Sequence, residues 1–154
     1  MGHYLFRQIR FVRDSTIRQV TGLPEDQGLR VPQGFNNNVL WNLGHILLVH
    51  EKFAFGMIHE KQEIPDEFAA LFGRGTKPAD WSGALPSLEE LIQLLDAQAD
   101  RIERKLASRL NERLEKPYTS STGLELSTVE ECLSFCLYHE GMHFAVIKAI
   151  KQHL

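Results

Sequence analysis

Few features of this 154-residue chain are as clear as what it lacks. It has two cysteines, Cys132 and Cys136, one helical turn apart, a spacing at which an intrahelical disulfide is strained. A disulfide framework is therefore excluded, and both thiols are expected to be reduced, as in a cytoplasm. No run approaches the ~18 apolar residues of a membrane span, and Met1-Gly2-His3-Tyr4 carries neither the basic start nor the apolar stretch of a signal peptide. A net charge of -3 gives no electrostatic case for nucleic acid or an acidic membrane. No segment alternates convincingly as a strand, and there is no internal repeat. What remains is 43% apolar residues, enough for the core of one domain spanning 1–154.

Four long helical patterns fill that domain. The first runs from Tyr4 to Thr21, with Leu5, Ile9, Val12, Thr16 and Val20 on one side, and is stopped by Gly22 and Pro24. Arg7, Arg10 and Arg13 read as its solvated face. The second, from Asn37 to His59, is apolar almost all round and so deeply buried. The third opens at a capping box of Ser87 with Glu90 and carries leucines and isoleucines to Leu114. The fourth opens at Ser127 with Glu130 and ends near Lys148 and Lys151, which suit the negative end of its dipole. A connection of about twenty-five residues separates the second and third, with room for a short helix at Asp66 to Phe72. The expected fold is all-α, a four-helix bundle with one crossover.

Within the fourth pattern stands His139-Glu140-Gly141-Met142-His143. Residues i and i+4 of a helix lie one above the other, so two imidazoles there can grip one divalent ion. Cys132, Phe135, Cys136, His139, Met142, His143, Val146 and Ile147 share one arc, which places both histidines on the apolar face. Two polar rings in a core need several partners, and a metal satisfies both. The second helix offers a third ligand, His45, on a polar stripe with Asn38 and Asn42. His50 is rotated about 140° away at ~100° per residue and is a poor co-ligand. Asn38, Trp41 and Asn42 are candidates for a substrate wall, although Asn38 also suits the helix N-cap and Trp41 plain core. Glu140, at the edge of the arc, is the candidate general base, or else a carboxylate that orients an imidazole.

Two other metal sites are disfavoured. The five residues spell the metalloprotease pattern, but eleven residues follow His143 with none acidic, and Val146 and Ala149 stand where a longer protease motif needs glycine and histidine. A site of both cysteines and both histidines fails on distance, since Cys132 and His143 are about 16 Å apart along the helix.

With Asn-Leu-Gly-His-Ile on the second helix and His-Glu-Gly-Met-His on the last, the chain resembles the DinB/YfiT-like family over essentially its whole length. That resemblance implies an up-down-down-up bundle with three histidine ligands, which fall here on His45, His139 and His143. It implies nickel or zinc as the ion, a homodimer, and a small-molecule substrate. The activity it implies is that of a metal-dependent hydrolase, or of a transferase using a low-molecular-weight thiol such as bacillithiol or mycothiol. The residues alone leave zinc, nickel, copper and iron(II) open. They also leave open a non-catalytic metal or small-molecule binder, and a metal-free bundle whose histidines are satisfied by Asn42, Tyr138 or water.

Overall fold

A computed structural model describes residues 3–154. The long helices are α1 (Tyr4–Val20), α3 (Val39–Ala54), α5 (Leu88–Leu106) and α6 (Val129–Lys151). Between them lie two short helices, α2 (Glu25–Leu29) and α4 (Phe68–Phe72), two 3₁₀ turns (Gly56–Ile58 and Pro78–Asp80), and a hairpin of β1 (Arg113–Thr119) and β2 (Glu125–Thr128). The expectation of a purely all-α four-helix bundle is therefore corrected: among the described residues, six helices accompany a two-stranded antiparallel sheet.

The long helices form a closed ring of neighbours. α1 and α6 run the same way, with His3 beside Glu130 at one end and Gln19 beside Lys151 at the other. α3 runs against α6, so Asn42 meets His143 while His50 meets Cys136. α5 runs against α1, where Arg10 binds Asp96 and Asp100, and alongside α3, where Gln98 reaches the Leu47 carbonyl. The long α3–α5 connection, which holds α4, is what permits two consecutive long helices to lie parallel.

Burial follows the apolar periods. Leu40, Leu43, Ile46 and Leu47 of α3 are fully enclosed by Leu91 and Leu95 of α5 and by Ile147 and Ile150 of α6. Each such side chain contributes about 1.5–3 kcal/mol on leaving water. A second cluster, with Phe6, Ile9, Phe55, Ile102 and Leu133, fills the other end. A third lies under the hairpin, where Leu114 and Leu126 cover Phe53, Cys132 and Cys136.

The differences from the sequence reading have local causes. Leu106, Leu110 and Leu114 repeat every fourth residue and mimic a longer helix, but α5 ends at Leu106 and the latter two leucines are buried from a turn and from β1. Pro117 argues against a strand, yet β1 accommodates it where the pairing is irregular between Arg113 and Tyr118. The second helix is shorter than expected, because Asn38 caps it and the chain leaves at Phe55 for the 3₁₀ turn. On α6, Met142 and Val146 are well exposed while Leu133 and Glu140 are buried, because α1 as well as α3 covers the helix. Arg13 is fully buried and not on a solvated face.

The cap of α6 also differs by one residue. Thr128, not Ser127, accepts from Glu131 N–H, and the Glu131 carboxylate returns to the Thr128 backbone. Thr128→Ala is expected to lower stability by about 1 kcal/mol, while Ser127→Ala stays within about 0.5 kcal/mol. Urea denaturation of both variants measures this, and equal losses would contradict the assigned cap.

Candidate metal centre

Three imidazoles converge where α3 and α6 face each other. One ring nitrogen from each of His45, His139 and His143 lies within 4.8 Å of the others. The ring centroids stand 4.6–5.1 Å apart. His45 and His139 are buried and His143 is half-buried. His50, on the same helix as His45, is outside the cluster, as the ~100° step requires.

The hydrogen bonds choose the tautomers. Nδ1 of His45 lies 2.6 Å from the Phe72 carbonyl, which only accepts, so Nδ1 carries the proton and Nε2 keeps its lone pair. Nδ1 of His143 lies 2.8 Å from Oδ1 of Asn42. The Asn42 amide is oriented by its own Nδ2, which donates to the Asn38 carbonyl at 2.7 Å, so His143 also donates from Nδ1 and frees Nε2. The third ring, His139, has a buried Nδ1 with no partner. Two imidazoles preset as ligands and a third with an orphaned nitrogen fit a divalent cation by the chemistry of the donors.

Local sequence explains how the site is framed. Gly44 has no side chain because the Phe72 ring of α4 occupies that space, and a Cβ would fall inside contact distance of it. This close approach brings the Phe72 carbonyl to His45. Trp41 stacks on the His45 ring at 4.6 Å and 11°, and its Nε1–H donates to Thr76 Oγ1 at 2.9 Å. Asn38 accepts from Trp41 N–H at 2.8 Å and donates to the Leu29 carbonyl at 2.9 Å, which uses both ends of its amide. Thus, of the candidate wall residues, Trp41 flanks the imidazoles, Asn42 orients His143, and Asn38 caps α3. The Asn42 role had a signal in the sequence, the Asn38–Asn42–His45 stripe. The Phe72 carbonyl had none.

Glu140 points away from the cluster into a buried polar layer. Its carboxylate oxygens accept from Arg13 Nε at 3.0 and 3.3 Å and from Nη2 at 3.2 Å. Arg13 also donates to the Leu95 carbonyl, to Gln98 Oε1 and to Nδ1 of His50. His50 in turn donates from Nε2 to the Cys136 carbonyl at 3.1 Å, so it is a neutral ring rather than a cation. Burial by itself would raise the Glu140 carboxyl, but the Arg13 charge and its hydrogen bonds outweigh it and hold the group below its usual range. Cys132 and Cys136 are buried thiols raised by desolvation, Cys132 to about 11, and are not thiolates.

The model of the DinB superfamily matches residues 8–147, and the chain belongs to that superfamily. No curated protein sequence matches it. Among solved structures it is similar to one described as a conserved protein from Enterococcus faecalis, with a TM-score of 0.71 at 11% identity over 99% of this chain and 96% of that one. At that identity the likeness concerns the fold. Among the described residues no helix is long and apolar enough to cross a membrane.

Without metal, burial pushes His139 down to about 2, aided by His143 and His45, and pushes His143 and His50 down to about 4. His45 is lowered by the same cause. In the unfolded chain these rings protonate near pH 6.5. Below that pH the unfolded state binds more protons than the folded one, so stability falls as pH drops. The urea midpoint of metal-free protein is expected to decline from pH 7 to pH 4.5. A midpoint independent of pH in that window would mean that the rings protonate freely in the fold.

Proposed function

We propose that this chain holds a divalent metal ion, nickel or zinc, through His45, His139 and His143, and uses it on a small-molecule substrate. The observation that carries this reading is the cluster itself: three imidazoles with their ring nitrogens within 4.8 Å of one another, two of them in the ligand tautomer. When bound, the ion would act as a Lewis acid, lowering the pKa of a bound water or thiol. The chain's own residues do the rest. Phe72 and Asn42 hold His45 and His143 in orientation, and Trp41 closes one side by stacking on His45.

The reaction class belongs to this proposal as hydrolysis or S-transfer from a low-molecular-weight thiol. The protein's own thiols do not supply the nucleophile, since Cys132 and Cys136 are enclosed and protonated. A cytoplasmic setting suits those reduced thiols. A homodimer is the other part of the reading, supported by exposed Tyr138, Met142 and Val146 on α6. The general-base role read for Glu140 requires its release from Arg13.

A second reading, a metal binder without catalysis, uses the same residues. Zinc and nickel binding to untagged protein, followed by turnover assays with a panel of thiols and electrophiles, separates the two. His45→Ala, His139→Ala and His143→Ala are each expected to abolish stoichiometric metal, while exposed His59→Ala leaves it unchanged. Asn42→Ala is expected to weaken affinity by about 10–100-fold. Equal metal content in all five variants would defeat the assignment, and metal binding without metal-dependent turnover would favour the binder.

A further inference from the structure

The layer below the histidine cluster holds a group with no part in the reading above. Arg13 has no exposed surface, and its guanidinium contacts every other long helix. It donates to Glu140 of α6, to the Leu95 carbonyl and Gln98 of α5, and to His50 of α3, while its own backbone belongs to α1. Glu140 lies between the two α6 histidines in sequence, directly after His139 and three residues before His143.

We infer that Arg13 is a positioning residue of the metal centre: through Glu140 it sets the rotation of α6 about its axis, and so aims His139 and His143 at His45. This rests on the metal-binding reading proposed above.

The magnitudes support the assignment. Side-chain tips lie about 5–6 Å from a helix axis, so a turn of about 10° moves them about 1 Å. Metal–ligand distances tolerate only about 0.2 Å. Apolar packing alone is weakly directional, and the exposed positions of α6 from Ser134 to Val146 carry no charge that would fix its rotation from outside. The Arg13–Glu140 fork is directional, because two guanidinium nitrogens meet one carboxylate. The second tie is in register with it: His50 is anchored both to Arg13 and to the Cys136 carbonyl, one turn before Glu140. The same fork occupies Glu140, so the carboxylate acts on the centre through the helix and not as a base.

The experiment compares wild type with Arg13→Met/Glu140→Met, in which the buried pair is replaced by apolar groups of similar volume, a change that proteins often tolerate. Arg13→Lys, which keeps the charge and loses the fork, is the second variant should the double one fail to fold. Circular dichroism establishes folding. Cobalt(II) and zinc titrations then give affinity, and the visible cobalt spectrum reports ligand geometry. Folded variants are expected to bind about 10–100-fold more weakly, with a shifted cobalt spectrum. Wild-type affinity and an unchanged spectrum in a folded variant would overturn the inference and leave the metal reading intact. Failure of wild type itself to bind either ion would overturn both.

Discussion

A guanidinium with no exposure to water must be paired, and pairing Arg13 brings four helices to one point. Breaking one partner of such a pair typically costs about 3–5 kcal/mol, because it strands a charge in the core. The Arg13 side chain therefore tolerates few alternative arrangements of α1, α3, α5 and α6. Gln98 extends the constraint, since it accepts from Arg13 and donates to Glu51, which is held in turn by Arg101. A polar line crosses the bundle from the partly exposed Glu63 beside Arg101 to Glu140 beside the histidines. Apolar packing sets how tightly the helices associate, and this line restricts their register.

The histidine cluster borrows from that register and adds its own. Two of its rings are each oriented by a group from outside their own helix turn: His45 by the Phe72 carbonyl from α4, and His143 by the Asn42 amide across the α3–α6 seam. The arrangement spends polar residues in an otherwise oily helix, and every one of them is used. Asn38 caps the helix and steadies Asn42, Asn42 steadies His143, and Trp41 is tied to Thr76 while it covers His45. The unpartnered nitrogen is Nδ1 of His139, the third ring of the cluster. Membership of the DinB superfamily agrees with metal binding by this trio.

Parts of the fold were readable from periodicity because helices bury one stripe and end at recognisable residues. The Ser87 cap and the apolar period of α5 are examples. The hairpin was not readable, because β1 buries only Leu114 fully and contains a proline, and because the leucines before it keep a four-residue spacing. Arg13 stands four residues after Ile9 and three before Thr16, in the stripe that becomes buried, a position that its charge masks in the sequence.

The linear order of residues alone determined that His139 and His143 share one face of a helix, since that follows from 3.6 residues per turn. It also determined that His45 and His50 diverge. Only the tertiary structure decided that His45 meets the other two, that Phe72 and Asn42 select the tautomers, and that Glu140 turns toward Arg13. Those are contacts between segments 27 to 127 residues apart. No local rule reaches across such distances, because the pairing depends on which helices lie side by side and how each is rotated.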